Sequence, residues 1–355
     1  MTAKNPRIAV VSAGWWATQF HIPSLLDYDG ADLIAIVDQD EQKLSAAATH
    51  YGVTTTYASL ADLIRTGDVD GVVVATNSAA HYVVAKEALD AGLHVMVEKP
   101  MVITTAEAWD LVETARRNER HLVVGHTYQF VESAELLRQV VASGELGELV
   151  MMSGLFASMV ESFYRGQPQE YAEVFQWPVT GPTSQTYATA ASAGGGQGYT
   201  QVTHPMGMML HITGARTSRV AAFLNYRDLA VDLADAISYE CTSGAVGTMA
   251  STGNIRKNEA QQQELRYYFS RGWATQNLLD ASVTVQFASG ESRHFTASDV
   301  YPAHATARHL ADLISGRATE NLASGEHGAR VVEFLDAAYR SAHAGQVVDI
   351  DLSRG

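Results

Sequence analysis

From Arg7 to about Gly125 the chain alternates short, unbroken apolar runs with stretches of helical spacing. IAVVSA, DLIAIVD, GVVVAT, HVMVEK and HLVVGH are rich in β-branched residues and predict strands. Their apolar character on both faces fits strands covered by helices on either side. Between them the spacing predicts helices over 20–28, 41–51, 59–66, 81–91 and 105–118, with Ser59 and Thr105 as N-caps. Strand and helix in strict alternation make parallel βαβ units, and hence a doubly wound parallel sheet.

The texture changes after Tyr128. One more helix (133–143) leads into strand-like runs at 148–158, 218–226, 236–242, 245–252 and 263–270, which predict a large, mostly antiparallel, open-faced sheet. Residues 161–198 show little periodicity and are rich in Gly, Pro, Ser, Thr, Gln and Tyr; a loop of this length in a compact domain is more often functional than idle. Two late helices (303–315 and 325–344) precede the run VVDIDL. The fold class is therefore α/β plus α+β. A chain of 355 residues exceeds one core and is expected as two domains, 1–125 and 126–355, with the final helices packing back toward the first. One face of the open sheet needs cover, which predicts a homodimer or homotetramer.

Composition narrows the partners. The net charge is −15, with no basic cluster at either end, so nucleic acid and anionic membrane surfaces are poor partners and a small molecule is favoured. The single cysteine, Cys241, excludes an intramolecular disulfide framework and a multi-cysteine metal site; it reads as a small hydrophobe on a strand. The His, Asp and Glu spacings repeat on no helix face with ligand geometry, so no metal is expected. No charged leader and no apolar stretch of about 18 residues occurs, and the expected location is the cytoplasm.

The chemistry starts at the turn after the first strand, Ser12-Ala13-Gly14-Trp15-Trp16-Ala17. A dinucleotide fold needs a tight turn there, so that a pyrophosphate can approach backbone N–H groups at a helix N-terminus. Only the middle glycine of G-x-G-x-x-G is present, with small Ser12 and Ala17 at the outer positions. Asp38 closes the second strand, where a carboxylate accepts from ribose hydroxyls and repels a 2′-phosphate; this favours NAD over NADP, the alternative being that Asp38 caps the Asp-Gln-Asp-Glu turn.

Further residues carry a resemblance. Ala75-Thr76-Asn77 with His81, then Glu98-Lys99-Pro100 closing another strand, then Gly125, resemble the glucose-fructose oxidoreductase / inositol dehydrogenase (Gfo/Idh/MocA) family. The resemblance spans nearly the whole chain, including His21-Ile22-Pro23, Gly194-Gly195-Gly196 ahead of His204, and Ser341-Ala342-His343-Ala344-Gly345. It implies an N-terminal Rossmann domain that binds NAD through Ser12, Gly14, Trp15, Trp16, Asp38, Thr76, Asn77, His81, Glu98 and Lys99. It also implies that Lys99 hydrogen-bonds a reacting hydroxyl and takes part in proton transfer while the nicotinamide accepts hydride from the same carbon. A partly buried lysine beside a cationic ring has a lowered pKa, as a general base requires; the plain alternative is a lysine snorkelling at a strand end.

Most dehydrogenases of that family carry Asp and His four residues apart after the glycine run. Here His204 stands on the histidine and Thr200 replaces the aspartate; Thr200 can exchange hydrogen bonds but carries no charge. His204 is expected to relay a proton, with a core histidine as alternative. Tyr128 is expected to orient substrate, or to act as acid or base if its pKa is depressed, and Gln201 to offer a neutral contact; ordinary packing is the alternative for both. The resemblance implies a sugar, polyol or glycoside as substrate, oxidised at a secondary ring hydroxyl. The polar loop suits several hydroxyls, Trp177 a pyranose face, and Arg165, Arg256 and Lys257 an anionic substituent. The missing aspartate opens a second reading: a redox-neutral NAD-dependent glycosidase that oxidises carbon 3, eliminates the aglycone, adds water and returns the hydride, possible also on a sulfosugar or other anionic glycoside. Tyr128, His126, Tyr199 and His204 are its acid–base candidates. A third is a non-catalytic NAD-binding regulator.

Overall fold

The computed structural model describes residues 4–354. In chain order it runs β1 (Arg7–Val11), a π-helical turn Ala17–His21 into α1 (Ile22–Leu26), β2 (Asp32–Val37), α2 (Glu41–Tyr51), β3 (Thr56–Tyr57), α3 (Leu60–Ile64), β4 (Gly71–Val74), α4 (Ser78–Asp90), β5 (His94–Val97), α5 (Thr105–Arg117) and β6 (Leu122–Val124). There follow α6 (Glu132–Ala142), β7 (Leu149–Ala157), the one-turn helices α7 (Glu161–Tyr164), α8 (Ala172–Phe175) and α9 (Ala190–Ala193), and a second π-helical turn, Gly198–Val202, into α10 (Thr203–Thr213). The chain then forms β8 (Thr217–Asn225), β9 (Ala234–Cys241), β10 (Val246–Thr252), β11 (Gln262–Phe269), β12 (Gly272–Asn277), β13 (Ser282–Phe287) and β14 (Ser292–Phe295), and ends with α11 (Ala305–Ser315), α12 (Gly325–Ala344) and β15 (Val348–Asp349).

These elements form two units that are not two consecutive stretches. Among the described residues the first comprises 4–125, 166–186 and 303–328, and the second 126–165, 187–302 and 329–354. The six-stranded sheet of the first unit has the order β3-β2-β1-β4-β5-β6 and is parallel throughout. That is the doubly wound Rossmann order, whose strand sequence reverses between β1 and β4. Val72, Val73, Val74, Val95, Met96 and Val97 are inaccessible to solvent, as strands covered on both faces must be. Local chemistry sets the helix ends. Asp40 caps α2 by accepting from Gln42 N and Lys43 N, and Gly52 closes it at φ 68°. The N-cap of α5 is Thr104, not the expected Thr105: Glu107, three residues beyond Thr104, completes a reciprocal capping box that Thr105 has no partner to form.

The second unit is built on a nine-stranded sheet, β14-β13-β12-β11-β7-β10-β9-β8-β15. Every neighbouring pair is antiparallel except β7 with β10. Alternation buries one face: Gln263, Leu265, Tyr267 and Phe269 of β11 point inward, and α6 and α10 pack on that side. The apolar helix α10 is buried on almost every side. Phe223 (82% exposed), Val246, Tyr268 and Trp273 lie on the opposite face, with Tyr268 directly across from Trp273. Strands β12 to β14 were not among the runs expected, although SVTVQF alternates with period two; Gly, Ser and charged residues interrupt that region every few positions.

Candidate active site

The carboxyl edge of the parallel sheet gathers the turn after β1, the end of β2 and the start of the β5–α5 connection. At the β1 turn Ser12 adopts φ 124°, a conformation glycine occupies without penalty, which is where the usual first glycine is missing. Its hydroxyl accepts from Gly14 N at 2.9 Å. A Cβ on Gly14 would stand 3.1 Å from Ser12 Oγ, so this glycine keeps the turn tight. Asp38 Oδ2 accepts from Ala13 N at 2.7 Å and Oδ1 from Asp40 N at 2.8 Å. The carboxylate thus braces the turn and keeps lone pairs for ribose hydroxyls. A tight turn, a helix entered at Trp15 and a fixed carboxylate at the end of the next strand fit a dinucleotide, and together they would hold its pyrophosphate and adenosine ribose.

Glu98 is the hub of the neighbouring network. Its Oε1 accepts from His21 Nε2 at 2.8 Å and Trp16 Nε1 at 3.0 Å, and its Oε2 from Lys99 N at 3.0 Å. Burial acts to raise its pKa, but the His21 hydrogen bond and the fields of His21 and Lys99 outweigh it and hold the carboxyl below the usual glutamate value. Gly125 makes the room: a Cβ there would lie 2.8 Å from Glu98 Oε1. The Lys99 ammonium stands 5.9 Å from the centre of the Trp16 ring. Burial pushes its pKa below the ordinary lysine value, and the Glu98 charge opposes that shift without cancelling it. His21 lies in a π-helical turn, a distortion common at functional sites. His81 is buried with one ring nitrogen 2.8 Å from Pro100 O and the other 3.1 Å from Thr76 O, tying the ends of β4 and β5 together. Asn77 caps α4 by accepting from Ala80 N, and Thr76 Oγ1 donates to Asn77 O.

The second unit holds the other group of expected residues. His204, buried on α10, stacks on Phe156 and meets Tyr128 edge-on at 5.5 Å. Tyr128 also meets Tyr301 edge-on and donates from its hydroxyl to Gln263 Oε1 at 3.1 Å. Burial pushes the Tyr128 phenol up, the opposite of the depressed pKa that a base there requires. Thr200 lies in the second π-helical turn. Its hydroxyl donates to Gly196 O at 2.8 Å and shares a 2.6 Å hydrogen bond with the hydroxyl of Tyr164. Gln201 is half-buried in the same turn, His126 Nε2 lies 3.2 Å from Thr203 Oγ1, and Tyr199 packs on Tyr339.

The residue that organises this region is Asp232, which the sequence reading missed. Completely buried, it accepts from Gly196 N and Gly198 N at 2.8 Å each and from the Tyr339 hydroxyl at 2.5 Å. The glycine run is explained here: a Cβ on Gly196 would fall 2.0 Å from Asp232 O, and one on Gly195 2.3 Å from the Tyr339 hydroxyl. An anion at the start of the Thr200 and His204 helix also suits its dipole. Neighbouring Asp235 is buried, and burial, then the charge of Asp232 and a side-chain hydrogen bond with it, push its pKa well up.

Two expectations shift. Arg165 is engaged by both Glu161 and Asp228, so its charge is already balanced. Trp177 belongs to the first unit, in the 166–186 segment, rather than to the second unit with His204. Arg256 and Lys257 are exposed, with Arg256 beside Glu259. Among the described residues no cluster of three metal-ligating side chains occurs, and no helix is long and apolar enough to cross a membrane.

Residues 6–126 match an oxidoreductase family, GFO/IDH/MocA, described as an NAD-binding Rossmann fold, and residues 135–275 match the GFO/IDH/MocA C-terminal domain; together these span most of the chain. Over 156 residues the sequence is 34% identical to inositol 2-dehydrogenase of Leifsonia xyli, covering 43% of this chain and 45% of that protein. Over 149 residues it is 30% identical to D-glucoside 3-dehydrogenase of Escherichia coli, 42% of each. The chain spans between 40% and 59% of the length of the first curated relatives it matches. An oxidoreductase domain protein from Kribbella flavida has the same fold, with TM-score 0.82 at 22% identity over 98% of this chain and 100% of that one.

Proposed function

Because the chain belongs to the Gfo/Idh/MocA oxidoreductase family, we propose that it uses NAD to oxidise a secondary ring hydroxyl, that on carbon 3, of a sugar or glycoside, with Lys99 handling the hydroxyl proton. The observation that carries this reading is the environment of Lys99: a half-buried lysine with a lowered pKa, whose backbone is pinned by Glu98 at the carboxyl edge of a parallel sheet. Bound NAD supplies the hydride acceptor. The neutral lysine accepts the hydroxyl proton, and Glu98 limits how far its pKa falls, so that the lysine regains a proton for the reverse direction. The Tyr128 phenol oxygen, its proton donated to Gln263, accepts a hydrogen bond from a substrate hydroxyl, and His204 serves as an acid–base residue. Thr200 and Gln201 supply neutral polar contacts.

A second reading, the redox-neutral glycosidase, is favoured by one observation. Thr200 brings no charge, but Tyr164, its 2.6 Å partner, lies in the field of Asp232, and the buried Asp235 carboxyl has a pKa raised well above the usual range. Elimination and hydration need such an additional acid. We also assign self-association, as a homodimer or homotetramer, to the sheet face that exposes Phe223, Val246, Tyr268 and Trp273.

The test is a panel of polyols, free sugars and aryl glycosides, anionic ones included, with and without added NAD, followed through NADH absorbance and aglycone release. Stoichiometric NADH is expected, with Lys99→Met lowering kcat about 10²- to 10⁴-fold while NADH binding persists. Aglycone release without net NADH establishes the glycosidase. Silence in both channels from protein that binds NADH overturns both and leaves a non-catalytic regulator.

A further inference from the structure

The segment 166–186 lies in the sequence between elements of the second unit, yet it folds with the first. It is clasped at its ends: Gly166, at φ +69°, sits so close to Ser184 that a Cβ there would be 2.8 Å from Ser184 O. Between the ends lie only one-turn helices and bends, with an exposed Gln176 at φ 47°. A compact loop of this kind, with few regular hydrogen bonds, opens locally at small free-energy cost.

Contacts run from it to the β1 turn and the helix that follows. Phe175 meets Trp15 edge-on at 5.7 Å, Gln19 Nε2 donates to Phe175 O at 2.8 Å, and Thr180 Oγ1 donates to Ala13 O at 3.3 Å. Trp177 lies between Phe175 and Thr180, and its ring is fitted so closely to Gly181 that a Cβ there would be 2.2 Å away. Two polar atoms are left over. The Trp177 indole Nε1 and Gln19 Oε1 are both buried without a hydrogen-bond partner in the chain. A buried donor left unmade is costly, so a satisfied partner is expected from outside the chain. The segment carries Glu170 and Glu173 but no cation, so it holds a ligand through hydrogen bonds and coverage rather than by neutralising charge.

We propose that 166–186 is a strap belonging to the dinucleotide site, in which Trp177 Nε1 donates to an oxygen of bound NAD and Phe175 and Thr180 fasten the strap over the β1 turn. The cofactor then leaves only when the strap opens, so it stays on the protein from one turnover to the next. This rests on the assignment of NAD to the Ser12–Trp16 turn. It moves Trp177 from the sugar, where stacking on a pyranose was expected, to the cofactor.

The experiment measures NADH dissociation by stopped-flow fluorescence, displacing with excess NAD, in the full-length protein and in Trp177→Phe and Phe175→Ala. Trp177→Phe keeps an aromatic ring but removes the indole N–H together with the five-membered ring. Each variant is expected to release NADH about two- to tenfold faster, the worth of one hydrogen bond or one aromatic pair, while still unfolding in a single cooperative transition. Saturating NAD should also slow chymotrypsin cleavage after Tyr171 and Phe175 in the wild type. Unchanged release rates in both variants, or strap cleavage indifferent to NAD, overturn the strap alone. A wild-type protein that binds no NADH overturns the functional reading beneath it.

Discussion

Replacing Glu98 by glutamine separates the geometry of the lysine site from its electrostatics. If the amide oxygen takes the Oε1 place, the bonds from His21 and Trp16 survive. The amide NH2 then faces Lys99 N–H where Oε2 had accepted at 3.0 Å, and one charge-assisted hydrogen bond is lost. That costs about 1.5–3 kcal/mol of unfolding free energy, measurable by urea titration with tryptophan fluorescence. The effect on Lys99 has a definite sign. Burial lowers its pKa and the Glu98 charge raises it, so removing the charge leaves burial unopposed and the pKa falls further. A base is active when deprotonated. The acid limb of log(kcat/KM) against pH, measured with the best substrate of the panel, therefore moves to lower pH in Glu98→Gln, while Kd for NADH changes little. A limb that stays put or moves to higher pH in a folded variant refutes the electrostatic coupling. A limb that persists in Lys99→Met shows that another group titrates.

Three further outcomes follow from particular contacts. At Ser12 the positive φ costs about 1–3 kcal/mol for a non-glycine residue, and the hydroxyl returns about 1 kcal/mol through Gly14 N. Ser12→Gly should therefore be near neutral and Ser12→Ala destabilised by about 1 kcal/mol in chemical denaturation; equal stability of the two argues against strain at this turn. Asp235 has a folded-state pKa raised by burial and by Asp232, so the folded state holds a proton that the unfolded state releases, and stability falls as pH rises through the window above the unfolded carboxyl pKa. Asp235→Asn should remove that fall, gaining about 1.4 kcal/mol per pH unit above the unfolded pKa and nothing below it; a gain independent of pH counts against a protonated Asp235. Phe223→Glu places a charge on the exposed sheet face and should lower the sedimenting mass; an unchanged mass moves the self-association surface elsewhere.

Much of the frame was legible because its causes are local. The span of α2 follows from apolar spacing between an Asp40 cap and a Gly52 stop. The parallel strands follow from runs such as GVVV and HVMV, apolar on both faces. The Thr104 cap could have been read from Glu107 three residues on, and the SVTVQF strand from its alternation. Lys99, Asp38 and His204 were visible because each stands at a fixed offset from a strand end or a glycine run.

The partners of these residues were not visible. Glu98 meets His21 across 77 positions, and Asp232 meets Gly196 across 36. Such pairs leave no period in the sequence, since a hydrogen bond between distant residues is fixed only when the core has brought their backbones together. The same holds for protonation: Tyr128 was open to a depressed pKa until its burial was known, and burial pushes it the other way. The sequence by itself determined which elements form and which residues close them, because backbone sterics, capping and alternation act within a few positions. The tertiary structure alone decided that Glu98 steadies Lys99, that Asp232 anchors the helix of Thr200 and His204, and that 166–186 folds against the β1 turn, because desolvation and hydrogen bonding depend on what surrounds a group in space.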